Sequence, residues 1–235
     1  MNNFVSFEII VDNGLIDPTL DLTIDYAELA LDEFINNSVI KEIPIVKTFV
    51  GLIKVGLNIK EIFFVKKMLT FLKEFHTGSI GEQNLMNFKN KFHIDRQYRS
   101  HVVEQITLMN ERFISVEKSK IYANLFVAHV NELLDWNNFI VLSAILDNMN
   151  LNAIPALKVF GQRPDYSINL VAFDSLYFLQ ASGLVLRSNN GSYTLNSFGI
   201  YFYHYGILAD YSKDSKYHKS QTPFYKDHPD IKDLT

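Results

Sequence analysis

Ile43 to Phe75 is the most apolar stretch of this 235-residue chain, and water leaves such a segment two outcomes: a protein core or a lipid bilayer. It opens at Pro44 and is interrupted around Gly56, Leu57 and Asn58, which predicts two helices, about 45–57 and 59–75. The window Ile43–Val65 holds fourteen strongly apolar residues, contributing roughly −4 to −8 kcal/mol towards insertion. Its charges, Lys47, Lys54, Lys60 and Glu61, would cost on the order of 10 to 14 kcal/mol if central, and Lys54 sits mid-window, too deep to snorkel. A stable transmembrane span is therefore not expected.

The lysines of this stretch are ordered. Lys47 and Lys54 are seven apart, as are Lys60 and Lys67, and Lys66 and Lys73, so helical spacing puts lysine on a restricted face. The plainer reading makes these the central core helices with lysines as their solvated edge. In that case charge reversal at Lys54 and Lys67 should change stability little. The sharper reading sends a basic, apolar helix face to an anionic membrane surface or a partner groove. Lys47, Lys54, Lys60, Lys66, Lys67 and Lys73 are its candidate contact residues.

The rest of the chain reads mainly as helix. Asp17 and Pro18 can cap and start a helix carrying Ile24, Ala27, Leu31, Phe34 and Ile35. Phe7, Ile9 and Val11 alternate with polar or apolar neighbours, a weak strand signal over Phe4–Val11. Further helices are expected near 80–92, from about 95 with Val102, Ile106, Met109 and Phe113 in register, at about 116–134, and from Asp135 with Phe139, Leu142, Leu146 and Met149 on one face. The C-terminal third changes character. Ala153–Phe160 and Leu170–Ser182 predict helices, the second ended by Gly183, and Leu184–Ser188 and Ser192–Leu195 flank the turn residues Asn189, Asn190 and Gly191 of a β-hairpin. Asn196 or Ser197 can cap a last helix through Phe198, Phe202 and Tyr205.

This is the order of a winged helix. The expected fold is mainly α: a multi-helix body over 1–150 and a small winged-helix-like module with one β-hairpin over 151–211. The helix at 137–149 could serve either. From Ser212 to residue 235 the chain turns polar and is expected to be a disordered tail.

Composition narrows the chemistry. There is no cysteine, which excludes disulfides, thiolate metal sites and cysteine nucleophiles. The seven histidines form no HExxH-type pair, and Gly51–Gly56 lacks the Gly-Lys-Ser/Thr of a phosphate loop. No GxSxG elbow or EF-hand loop occurs, and Asp32 and Glu33, being adjacent, point different ways on a helix. No catalytic residue, cofactor, metal ligand or small-molecule substrate is therefore predicted, and the expectation is a non-enzyme.

Net charge is −4, with eight acidic groups and no Lys or Arg in residues 1–40 against seven Lys and three Glu in 41–75. A DNA-reading third helix needs Arg, Lys, Asn or Gln outward, but Ser167–Ser182 offers Asn169, Asp174 and Gln180 without a basic residue, and the wing has only Arg187. Contact with protein is favoured over nucleic acid. Met1–Ile10 has no basic residue before its apolar run and no small-residue cleavage site, so the expected location is cytoplasmic, membrane-peripheral if the lysine face meets lipid.

The run from Leu31 and Asp32 through Ile43-Pro44-Ile45-Val46, Gly51, Gly56, Ile59-Lys60, Phe63-Phe64, Lys66-Lys67 and Phe71-Leu72-Lys73-Glu74 resembles the abortive-infection alpha family of bacterial, archaeal and viral proteins. The resemblance covers roughly 28–160 and is strongest over 31–75. It implies a phage-defence effector or accessory acting through a protein partner, self-association or a membrane surface, and it brings no catalytic residues. The competing class is a winged-helix DNA-binding transcriptional regulator.

Overall fold

A computed structural model describes residues 10–17, 20–52, 58–162, 173–187 and 191–212. The chain divides into two compact units, Met1–Asp147 and Asn148–Thr235. In chain order the first holds a short helix at residues 10–16 (α1), then Leu31–Asn36 (α2), Ser38–Glu42 (α3), Pro44–Leu52 (α4), Ile59–Thr77 (α5), Glu82–Ile94 (α6), Arg96–Arg112 (α7), Val116–Val130 (α8) and Trp136–Asn148 (α9). The boundary falls at the end of α9, which places that helix with the body.

Local chemistry explains most starts. Asn58 caps α5 by accepting from the Glu61 amide while Glu61 reaches back to the Asn58 amide, a complete capping box. Asp95 and Ser115 cap α7 and α8 through the amides of Tyr98 and Lys118. Pro44 opens α4, where its missing N–H costs nothing. α8 stops at Val130, short of the expected 134, because Asn131 leaves the helix. Its side chain accepts from the Gly81 amide (3.0 Å) and donates to the Ser79 carbonyl (2.9 Å), and Glu132 follows at φ 60°.

α8 is the axis of this unit. Every residue from Ile121 to Ala128 is buried, so it is enclosed on all sides, and its long contact with α5 is the principal packing. The Phe126 ring lies 5.4 Å from Phe75, 5.9 Å from Phe71, 5.7 Å from Phe88 and 5.5 Å from Phe139, while Tyr122 stacks on Phe139 at 5.3 Å. Rings from four helices thus close one core, each contact at a separation where tilted or offset pairs are favourable.

Of the helix predicted from Asp17 through Ile35, only the last part forms, as α2. Residues 21–30 run as turns, because the Asp21 and Asp25 carboxylates accept from the amides of Thr23 (2.9 Å) and Ala27 (3.0 Å), competing with the helical ladder. The buried Tyr26 ring fixes this segment through a hydroxyl bond to the Asp21 carbonyl (3.1 Å). Ile10 and Val11, at the end of the weak strand signal, are helical; Phe4 to Ile9 lie outside the described residues.

The second unit contains a 3-10 turn at Leu151–Ala153, Ile154–Gln162 (α10), Phe173–Ala181 (α11), Val185–Arg187 (β1), Tyr193–Leu195 (β2) and Ser197–Tyr201 (α12), which runs on as a π-helical turn Phe202–Ile207. The strands pair antiparallel with Val185 opposite Leu195 and Arg187 opposite Tyr193. Gly183 takes φ +74° at the end of α11, the left-handed position a Cβ disfavours. Asn196 caps α12 through the Gly199 amide (2.8 Å) and donates to the Gly183 carbonyl (2.7 Å), stapling both ends of the hairpin together. Among the described residues, helices with one small hairpin make the chain mainly α with a winged-helix-like C-terminal module. The polar tail expected beyond Ser212 lies outside the described residues.

Candidate functional site: the lysine helix and the outer face of the module

Spacing alone put Lys60, Lys66, Lys67 and Lys73 on the solvated edge of α5. Packing divides them. Lys60 is exposed and Lys73 half-buried, but Lys66 and Lys67 are only 6% and 3% exposed. The Lys66 ammonium donates to the Leu29 carbonyl in the turn segment. Lys67 donates to the carbonyls of Phe113 (2.6 Å) and Glu111 (3.1 Å) and lies 5.5 Å from the Phe63 ring centroid. Those carbonyls belong to the C-terminal end of α7, where the helix leaves acceptors unpaired and its dipole favours a cation. Lys67 thus serves as a cap delivered from another helix. On α4, Lys47 is exposed and ion-paired with Glu42 at 2.6 Å. Lys54 lies outside the described residues.

Contrary to what their spacing predicts, Lys66 and Lys67 do not share an outward face with Lys60. Ile62, Val65, Leu69 and Leu72 form the inward stripe of α5, and Lys66 stands four residues after Ile62, within it. That register was the available signal.

Lys118, which the sequence reading passed over, does the same work. It is 3% exposed and donates to the Asp147 carbonyl near the end of α9 (2.7 Å), while the Asp147 carboxylate pairs with Arg112 at 2.5 Å. Burial lowers the proton affinity of all three ammonium groups, bringing Lys67 down to about 8. Their carbonyl bonds supply the compensation a buried charge requires.

The module keeps a different face outward. On α11, Leu176 and Leu179 are buried while Asp174 is exposed and Tyr177, one turn later on the same side, is 61% exposed. Leu186 on β1 is 52% exposed, and the Arg187 guanidinium lies 5.9 Å from the Tyr193 ring centroid. Described α11 carries no Lys or Arg; Ser167 to Ala172, with Asn169, lie outside the described residues. An acid, a large aromatic and an aliphatic side chain suit a protein partner better than a phosphate backbone, which is bound by cations.

Among the described residues, no three His, Asp or Glu side chains are grouped to hold a metal ion. No single described helix is long and apolar enough to cross a membrane. No protein-family model, curated protein or solved structure matches the chain.

Proposed function

We propose that this protein is a non-enzymatic effector or accessory of phage defence that works by binding a protein partner through the outer face of its winged-helix-like module. The biological class rests on the resemblance of residues 28–160 to the abortive-infection alpha family. The mode of action rests on one observation, Tyr177 held 61% exposed beside Asp174 on α11 of the module. Tyrosine offers large contact area at low entropy cost and is enriched where partners bind. Protein is favoured over a lipid surface because two of the six candidate lysines, Lys66 and Lys67, have their ammonium groups inside the fold. Each basic group near an anionic surface contributes about 1 kcal/mol, so their loss removes much of what such a surface would grip.

The test is phage challenge of cells expressing the wild type and Tyr177→Ala. Protection by the wild type, and its loss in a variant that still folds, is the expected result. Unchanged plaque efficiency across a broad phage panel would overturn the defence role, and full protection by Tyr177→Ala would overturn the surface. A regulator would instead bind DNA in gel-shift assays below about micromolar, with affinity falling steeply as salt rises.

A further inference from the structure

The turns at residues 21–30 keep most of their hydrogen bonds to themselves. The Asp21 carboxylate accepts from the Thr23 amide (2.9 Å) and hydroxyl (2.6 Å), the Asp25 carboxylate from the Ala27 amide (3.0 Å), and the Asp21 carbonyl from the Tyr26 hydroxyl (3.1 Å). Such bonds travel with the segment and do not attach it to anything. Two features do attach it. The Tyr26 ring is fully buried, the one buried side chain in residues 21–30, and the Lys66 ammonium of α5 donates to the Leu29 carbonyl. A stretch of solvated turns with a single buried side chain belongs to the low-stability end of a fold, where opening does not require the rest to unfold.

Its charge is opposite to that of the helix it meets. Residues 20–36 hold five acidic groups and no Lys or Arg, while Lys66 and Lys73, seven apart, share a face of α5. Burial lowers the proton affinity of Lys66, and Asp25 is near enough to oppose that. The Thr23 bonds hold the Asp21 carboxyl below its ordinary value, and Lys73 pulls it the same way. An acidic chain with one aromatic anchor thus lies on a lysine face, the arrangement in which a peptide ligand takes affinity from its ring and register from its charges. Lys67 bonds instead to the Glu111 and Phe113 carbonyls at the end of α7, away from this segment.

We propose that residues 21–30 are a displaceable strap, a ligand the chain supplies to itself, and that α5 beneath them is a docking face for an acidic, aromatic-anchored segment of a partner protein. In place, the strap keeps Lys66 from water and fills the Tyr26 socket. Displaced, it leaves Lys66, Lys73 and that socket open to a segment of the same chemistry. A tethered ligand acts at an effective concentration of about millimolar, so a partner must make more contacts than the strap to replace it. This face belongs to the first unit and the Tyr177 surface to the second, so either can fail without the other.

The test is amine acetylation of the full chain, read residue by residue by mass spectrometry, in the wild type and Tyr26→Ala. Loss of the ring is expected to raise Lys66 labelling by at least about tenfold, while Lys67 and Lys118, buried on other carbonyls, keep their rates and far-UV helicity holds. A free peptide of residues 20–36 should restore protection of Lys66 in Tyr26→Ala and bind the wild type at least about tenfold more weakly. Its effect should fade as salt rises and vanish when its own tyrosine is replaced by alanine. Unchanged Lys66 labelling, a rise shared with Lys67 in a folded variant, or a peptide that restores nothing would overturn the strap. Should Tyr26→Ala fail to fold, Asp25→Lys, which keeps the ring and sets a like charge near Lys66, is carried through the same labelling and peptide steps. There Lys66 labelling should rise alone, and an unchanged rate or a rise shared with Lys67 and Lys118 would overturn the proposal.

Discussion

α5 and α11 make opposite use of their polar residues. α5 is rich in lysine and has the composition of a helix that acts on something outside itself, yet Lys66 and Lys67 point inward and bond to backbone carbonyls. α11 stands where a winged helix would read DNA and has no basic residue in its described length, yet it keeps Asp174 and Tyr177 in solvent. Charge composition therefore does not identify an acting surface. What identifies it is whether the fold has already supplied a partner.

The largest effect expected from this contrast is at Lys67. Replacing it with Glu sets an unpaired carboxylate against the carbonyls of Glu111 and Phe113, and an uncompensated buried charge costs about 3 to 5 kcal/mol. Denaturant unfolding of Lys67→Glu beside Lys60→Glu would show it. Equal midpoints for the two variants would mean that Lys67 faces water.

A smaller effect concerns alkaline pH. In the folded chain Lys67 loses its proton near pH 8, whereas the unfolded chain keeps it to the ordinary value of 10.5. Between these the unfolded state binds more protons, so Lys67 makes stability rise with pH, and Lys66 and Lys118 act in the same direction. Tyr26 and Tyr98 oppose this above about pH 10, because burial holds their hydroxyls protonated to about 12 in the folded state alone. Unfolding free energy should therefore climb from pH 7.5 to 9.5 in the wild type and climb less in Lys67→Met. A rise of equal size in both would remove Lys67 as its source.

The smallest effects belong to the outward groups. Lys60→Glu and Tyr177→Ala should each change stability by no more than about 0.5 kcal/mol, the usual range at exposed sites. Thermal melting of both variants is the check. A loss well beyond that at Tyr177 would mean that the ring packs within the module and is not free to meet a partner.

The sequence alone was enough for those elements whose causes lie within a few residues. The break before α5 around Gly56 to Asn58, the left-handed Gly183, the Asn196 cap and the hairpin between them depend on neighbours close in the chain, and periodicity marked α7 and α9 for the same reason. The turns at 21–30 were also local, but there two readings competed: Asp17-Pro18 signals a helix, and the aspartates at 21 and 25 form side-chain turns that break it. The lysines were a different problem. Lys66, Lys67 and Lys118 find their carbonyls 37, 44 to 46 and 29 residues away, on segments whose positions are fixed only when the core closes. Helical spacing tells which side chains share a face. Only the tertiary structure decides whether that face meets water or the open end of another helix, because an ammonium leaves solvent only where acceptors from distant parts of the chain already wait for it.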